Sequence, residues 1–419
     1  MLSDVIRAVT LAVGAALSVY TLYFGVIALR GLVRRAPAFA RTAPQKRIAC
    51  VVAARNEAAV IGPLVDSLLA QDYPRALFEV IVAPNNCTDD TEAVAAAHGA
   101  RIFRPTGPIR SKGDVLAQVV DEVVLKENFD AMCVFDADNL AGRQFLARMN
   151  DALCAGAQVA QGFRDSKNPE QTAISGCYSI CYWMVNRFYN AARASLGLSA
   201  LVNGSGFAVS TGLLRALGGW RTVTMTEDYE FSAQCALNGH KVHFVPDAVV
   251  YDEQPLTFAQ SWRQRRRWTT GSLQGLQTYG PALFWHALRR RSAVCFDMFL
   301  TFLLPFAQLV GAVLALAGAA PLLLTGGIVL GGIALRGLLA IALLAGASLL
   351  ACMLGTVLAA ALTVALKKGR VDGMWLSVAS FWVFALSQTV LTLLSFVSKE
   401  KSWKPIAHTS VKRLDDLEH

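Results

Sequence analysis

The chain is short of charge. Of its 419 residues, 16% are Asp, Glu, Lys or Arg and 54% are hydrophobic, whereas a soluble domain carries about a quarter charged residues. The deficit lies at the two ends. That excludes a wholly soluble protein and indicates an integral membrane protein with a soluble middle. Histidine is scarce, at six residues, and the nine cysteines form no C-x-x-C pair. Cys177 and Cys181 lie one helical turn apart with no histidine at zinc spacing, so neither a zinc module nor a disulfide framework is indicated. An odd number of scattered cysteines fits free thiols in a reducing compartment. No RNA- or DNA-binding motif occurs, and the net charge of +9 is assigned to the positive-inside bias of membrane proteins rather than to nucleic acid.

What the ends do hold is long uncharged runs. Ala8 to Leu29 is 22 residues without a charge, enough for one span of about 20. Arg30, Arg34 and Arg35 follow, and positive charge beside a span marks the cytoplasmic side. Residues 1–35 therefore read as a retained anchor with its N-terminus outside. A signal peptide has a shorter apolar core, and Ala36-Pro37-Ala38 is a poor cleavage site. Met298 to Leu335 adds 38 uncharged residues with Pro321 near a turn, Gly337 to Leu366 adds 30, and Gly373 to Ser398 adds 26. Four spans over 293–398 give five in all and return a tail, 399–419, to the cytosol, but leave Lys367, Lys368 and Arg370 outside. Three spans put that basic loop inside and send the tail out.

The middle, 36–257, alternates. Ile48 to Ala54 reads as a buried strand, Val60 to Leu69 as a helix, Phe78 to Ala83 as a strand, and Thr91 to His98 as a helix. Arg101 to Phe103 is a third strand, Ser111 to Val124 opens and runs as a helix, and Ala131 to Phe135 is a fourth strand. Strand, helix, strand, helix implies an α/β, doubly wound parallel sheet. Ligands of such sheets sit at the carboxyl ends of strands, and the polar groups Asn56-Glu57, Asn85 to Asp90 and Asp136 to Asp138 fall there.

Three clusters carry chemistry. Asp136-Ala137-Asp138 ends a buried strand, and alternating acids on extended backbone point the same way, so both suit one hard cation, Mg²⁺ or Mn²⁺, bridging a nucleotide diphosphate. The bland alternative is a solvated strand end. Thr226-Glu227-Asp228 pairs two acids, which otherwise mark a helix N-terminus favoured by the dipole. Gln264-Arg265-Arg266-Arg267-Trp268 joins a guanidinium to an indole, and a plain Arg-rich amphipathic run is a membrane-surface helix. Together they supply a carboxylate to take a proton from an acceptor hydroxyl, a guanidinium to hold a leaving diphosphate, and a flat face for a sugar. That chemistry is glycosyl transfer at a membrane surface. The segment 258–292 is read as interfacial helices carrying this last run. Tyr178, Tyr182, Trp183, Phe188 and Tyr189 read as packing, or as the lining of an acceptor path.

Arg55-Asn56-Glu57, Lys112-Gly113, Asp136-Ala137-Asp138, Thr226-Glu227-Asp228 and Gln264-x-x-Arg267-Trp268 stand in the order and spacing of the family-2 membrane glycosyltransferases. Residues 47–285 resemble that group, which holds the cellulose, chitin, hyaluronan and poly-N-acetylglucosamine synthases. The resemblance implies a GT-A type nucleotide-sugar domain, a UDP-sugar donor and inversion at the anomeric carbon. It implies Asp228 as base with Glu227 beside it, and Asp138 as metal ligand helped by Asp136. Glu57, Asn85, Lys112, Asp136, Gln264 and Arg267 become donor-binding; Trp268, Asn203 and Gly204 become acceptor-binding. Two departures stand out. The position that usually offers an aspartate to uracil falls on Asn85, whose amide bonds the imide edge without adding charge. The Phe-x-Cys-Gly-Ser motif of cellulose synthases is absent, and Leu201 to Phe207 occupies its place. Trp403-Lys404-Pro405-Ile406-x-His408 resembles a cytosolic tail motif of related synthases, which favours four C-terminal spans.

The leading expectation is a polymerising synthase of a β-linked polysaccharide in a bacterial inner membrane, with the catalytic domain cytosolic. The alternative is transfer of one sugar to a lipid such as a polyprenyl phosphate or ceramide. A third class is a non-catalytic partner in polysaccharide export. The residues name neither the sugar, the linkage nor the oligomeric state, because selectivity rests on pocket shape.

Overall fold

The computed structural model describes residues 2–34, 36–324, 328–330, 333–335, 337–367, 373–397, 410 and 412–417. In chain order the elements are α1 (Leu2–Val33), β1 (Ile48–Ala54), α2 (Ile61–Leu69), β2 (Phe78–Pro84), α3 (Thr91–Ala97), β3 (Arg101–Ile102), α4 (Lys112–Val119), β4 (Ala131–Asp136) and β5 (Leu140–Ala141). There follow α5 (Phe145–Cys154), β6 (Val159–Ser166), α6 (Ala173–Met184), α7 (Ala192–Ser195), β7 (Phe207–Ser210), α8 (Thr211–Ala216), α9 (Glu227–Leu237) and β8 (Val242–Asp252). The C-terminal third holds α10 (Phe258–Arg290), α11 (Ala293–Leu324), the strands β9 (Ile328–Leu330) and β10 (Ile333–Leu335), α12 (Gly337–Leu366) and α13 (Trp375–Val397).

Eight strands form one sheet in the order β3-β2-β1-β4-β7-β6-β8-β5. The half β3-β2-β1-β4 is parallel, as the alternation of strands and helices implies. The other half is mixed: β7 runs antiparallel to both β4 and β6, while β6 and β8 are parallel. Both faces are covered, which explains why β1 is apolar throughout. Ile48, Cys50 and Val52 face α2 and α5 through Ile61, Leu64, Phe145 and Met149. Ala49 and Val51 face α4, α8 and α9 through Leu116, Val119, Leu214 and Phe231. On this second face Trp220 is fully buried and stacks on Phe207 at 6.0 Å and on Phe231 at 4.3 Å. Each such pair adds about 0.5–1.5 kcal/mol beyond burial. The stack presses α9 onto the sheet and sets where its first turn, Glu227-Asp228, emerges.

The C-terminal third departs from expectation. Two spans were expected over Met298 to Leu335; α11 instead continues past the turn expected near Pro321 and is followed by the antiparallel pair β9–β10. Leu322 to Leu335 is too short to cross, and the glycines 326, 327, 331 and 332 within it each cost a helix about 1 kcal/mol relative to Ala. The described residues thus hold four helices long and apolar enough to cross a membrane, Ala8–Val33, Ala293–Leu314, Ala342–Leu366 and Trp375–Val397, rather than five. The segment 258–292, expected as several interfacial helices, is one continuous helix, α10, started by a capping box at Thr257 and Gln260. The Trp403 to His408 motif, Lys368 and Arg370 lie outside the described residues.

Buried charges tie the long apolar helices to the domain. Arg193, in the domain's short α7, pairs with Asp297 of α11 at 2.8 Å, both side chains at 2% exposure or less. Tyr23 of α1 donates to the same carboxylate at 2.9 Å. Removing one partner of such a pair costs about 3–5 kcal/mol, because a buried charge is left uncompensated. Lys367, at the end of α12, pairs with Asp165 of the domain. Farther on, Ser410 N donates to Glu253 and Lys412 Nζ to the Lys167 carbonyl, at 3.1 and 2.7 Å.

Candidate active site

The carboxyl edge of the parallel strands gathers most of the predicted residues. After β1, Asn56 takes a left-handed φ of 57° and its Oδ1 accepts from Thr88 N at 2.8 Å, which ties this loop to the one after β2. Glu57 sits in the same loop, its backbone N–H donating to Thr91 Oγ1 at 2.8 Å. Asn85 turns back onto β1, its Nδ2 donating to the Ala54 carbonyl at 2.9 Å. β4 ends in Asp136, which lies in register beside Ala53 of β1.

Lys112 opens α4, whose N-terminus is closed by a Ser111–Asp114 capping box. Its Nζ reaches Asp136 Oδ1 at 2.5 Å, the Gly204 carbonyl at 2.6 Å and Glu227 Oε1 at 3.9 Å. Gly113 follows because a Cβ there would meet Thr222 Oγ1 at 2.5 Å. Gly204 occupies the centre. A side chain there would begin 3.3 Å from Asp228 Oδ2, 3.6 Å from an Arg164 nitrogen and 4.0 Å from Asp136 Oδ2. Glu227 and Asp228 form the first turn of α9, where the helix dipole favours anions. The third acid of that turn, Glu230, is structural: buried, it accepts from the N–H groups of Val223 and Thr224 and from Tyr279 OH.

Burial sets the electrostatics. It pushes Glu227 up to about 7, against the lowering pull of Lys112 and with a further push from Asp228. Asp228 is raised by burial as well, opposed by the Tyr229 N–H and by Lys112. Burial works against the Lys112 charge, yet the carboxylates of Asp136 and Glu227 leave its pKa raised. Lys112 is thus held charged by its neighbours, while burial biases the two acids toward their neutral forms.

Asp138 is buried at 5% exposure, and Asn139 beside it donates to Asp252 Oδ1 at 2.9 Å. Among the described residues no group of three His, Cys, Asp or Glu side chains surrounds a cation position. Asp136 and Asp138 are two oxygen donors from one strand end. That suits an ion which keeps waters and takes its remaining ligands from substrate phosphates.

The Gln264 to Trp268 run reaches the acids through intermediaries. A Cβ on Gly271 would lie 2.5 Å from Thr226 Oγ1, and Met225 N donates to Gln274 at 3.0 Å, so α10 flanks the Thr-Glu-Asp turn. Trp268 meets Tyr178 and Tyr182 edge-on, with centroids 5.9 and 6.5 Å apart. Gln264 Oε1 and Asn203 Nδ2 are buried without a hydrogen-bond partner, and such atoms call for a ligand or water. Arg265 is not a lipid-facing equivalent of Arg267: it is buried and donates to the Phe384 carbonyl and Ser387 Oγ of α13, both at 2.8 Å. Arg267 is half-buried and has no ion pair among the described residues.

Sequence reasoning passed over Arg164, Asn139, Ser205 and Asp252. Arg164 pairs with Asp252 at 2.5 Å, while Ser205 Oγ donates to Asp136's neighbour Asn139 and accepts from Asp136 N. The one available signal was a charged residue two positions after Gly162 within a strand. Burial raises the Asp252 carboxyl to about 7 in spite of Arg164.

The family described as "Glycosyltransferase like family 2" matches residues 44–271, more than half of the chain. The probable glycosyltransferase YdaM of Bacillus subtilis (strain 168) is 26% identical over 317 residues, 70% of this chain and 72% of that protein. The β-monoglucosyldiacylglycerol synthase of Synechocystis sp. (strain PCC 6803) is 28% identical over 246 residues, 57% of this chain and 50% of that protein; the match thus spans half the length of that relative. Among solved structures, the mannosyltransferase PcManGT from Pyrobaculum calidifontis, in complex with GDP-Man and Mn²⁺, superposes with a TM-score of 0.58 at 20% identity, covering 91% of this chain and 98% of that one. At that identity the likeness concerns the fold, which is GT-A-like with a mixed sheet. The chain belongs to glycosyltransferase-like family 2, and it is a glycosyltransferase.

Proposed function

We propose that the protein transfers a hexosyl or N-acetylhexosaminyl group from a UDP-sugar, with inversion, to a hydroxyl of a lipid acceptor at the membrane surface. The observation that carries this reading is the meeting of Asp136, Lys112 and Asp228 around the bare Gly204. The donor's diphosphate lies between Lys112 and Arg267, and the planar fork of Arg267 suits phosphate oxygens. Asn85 and Glu57, on the neighbouring loops, flank the nucleotide. Asp136 and Asp138 hold Mg²⁺ or Mn²⁺, which neutralises charge on the diphosphate when bound. Asp228 takes the proton of the acceptor hydroxyl as that oxygen attacks the anomeric carbon from the face opposite the leaving UDP. Burial raises Glu227 to about 7, so the pair does not carry two full charges near neutral pH. Asn203 and Gly204 border the acceptor, Trp268 offers it a flat face, and Gln264 supplies an acceptor atom nearby.

Two features support a lipid acceptor. The apolar helices α11 and α13 pack on α9, α6 and α10 of the domain beside the site, and a relative sharing 28% identity is a β-monoglucosyldiacylglycerol synthase. Polymerisation with export is the second reading, favoured by the Gln264-x-x-Arg267-Trp268 run on α10, which resembles that of polysaccharide synthases. The test is incubation of purified protein with a panel of UDP-sugars, with and without diacylglycerol, ceramide or polyprenyl phosphate, scored by UDP release and product mass. A single added sugar on lipid is the expected product. Long glycan would favour the second reading, and absence of UDP release with every donor would overturn both.

A further inference from the structure

Arg164, like Lys112, touches both the donor and the acceptor side of the site. It stands near the end of β6, buried at 8% exposure. Nε and one terminal nitrogen donate to Asp252 Oδ2 at 3.0 and 2.5 Å. The other terminal nitrogen donates to the Asn203 carbonyl. Asp136 Oδ2 lies 3.9 Å away. The flat guanidinium covers the Tyr182 ring at 4.5 Å, and Tyr182 in turn meets Trp268. A lysine would keep the charge but could not bridge Asp252, Asn203 and the ring at once, because only the guanidinium has donors in a planar fork.

We propose that Arg164 is a positioning residue with two separable effects. Its fork holds the Asn203–Gly204 loop where an acceptor hydroxyl meets Asp228. Its charge offsets that of Asp136 and so weakens the hold of the site on a divalent cation. The proposal rests on the functional reading above, in which Asp136 and Asp138 hold that cation. A buried charge is retained only where partners compensate it, and here those partners are the groups that face the two substrates.

The experiment uses full-length protein in detergent and reads Mn²⁺ affinity by calorimetry in the presence of UDP, alongside sugar transfer and donor hydrolysis. Arg164→Lys is expected to leave Mn²⁺ affinity within about twofold and to lower transfer at least about tenfold while hydrolysis persists. Arg164→Met is expected to bind Mn²⁺ at least about threefold tighter, since a nearby positive charge is gone. Should Arg164→Met fold poorly, Arg164→Gln, which removes the charge but keeps an amide to bond Asp252, is expected to show the same tightening. A merely structural role would weaken Mn²⁺ binding in all three variants and lower transfer and hydrolysis by equal factors; that result overturns the proposal. Wild-type protein that neither binds Mn²⁺ nor releases UDP overturns the functional reading, and this one with it.

Discussion

Asp228 Oδ2 lies 3.3 Å from the point at which a side chain on residue 204 would begin, and residue 204 is a glycine with φ of 79°. The space is kept open twice over: L side chains avoid that backbone region, and a methyl there would stand against the carboxylate proposed as base.

Gly204→Ala should therefore abolish most transfer while leaving the sheet intact. The substitution strains the left-handed turn by about 1 kcal/mol and displaces an acceptor hydroxyl from Asp228. Circular dichroism should be unchanged, and transfer should fall at least about a hundredfold. Near-normal transfer in this variant would put the acceptor elsewhere.

Asp228→Asn should retain UDP-sugar binding and lose about 10²–10⁴-fold in turnover. In the wild type, burial raises both acids of the pair, Glu227 to about 7 from 4.5. Because burial raises the Asp228 carboxyl, activity that needs it deprotonated should fall on acidification at a higher pH than an ordinary aspartate would give. Stability moves the other way: a carboxyl raised in the folded state binds its proton more tightly there than when unfolded. Its contribution is present below about 4.5 and is lost as pH climbs to about 7. Transfer rates and thermal midpoints across this window check both signs; parallel profiles would contradict the assignment.

Chelation should abolish transfer, and Mg²⁺ or Mn²⁺ should restore it. Asp138→Ala should resist restoration, because the buried Asp138 would be one of only two protein ligands. Activity that survives both treatments would remove the metal from the scheme.

Arg267→Lys should lose turnover sharply, and Arg263→Lys, at an exposed position of the same helix, should not. Arg265 makes a poor control, since it bonds α13 from a buried position. Trp268→Ala should impair transfer more than donor hydrolysis. Equal, mild losses at Arg263 and Arg267 would favour a lipid-anchoring role for both.

Residues 410 and 412–417 lie against the domain, where Ser410 bonds Glu253 and Leu414 is buried. Three full crossings after the domain would carry these residues to the other side. We expect α13 to lie along the membrane surface, where Arg265, Thr269 and Cys177 bond it. Labelling of single cysteines at residues 290 and 410 by a membrane-impermeant reagent should mark both from one side. Labelling from opposite sides would make α13 a crossing helix.

The parallel half of the sheet was legible in the residues, because Ile48 to Ala54 and Ala131 to Phe135 are apolar runs that only a two-sided burial explains, and turn signals separate them. So were the N-terminal apolar helix and the clustered acids at the strand ends, since local pattern decides both. The antiparallel β7 and the mixed edge were not, because strand pairing depends on which distant segments meet. Arg164 and Asp252 carry no local pattern at all: β6 and β8 lie far apart in sequence, and their parallel pairing alone brings the two side chains together. The hydropathy of Met298 to Leu335 measured enough length for two spans, but only the tertiary structure decided between a second helix and a strand pair. Likewise the four arginines of the 263–267 run are alike as letters. Packing against α13 buries Arg265 and leaves Arg263 exposed, because a helix turns each successive residue by a different angle toward its neighbour.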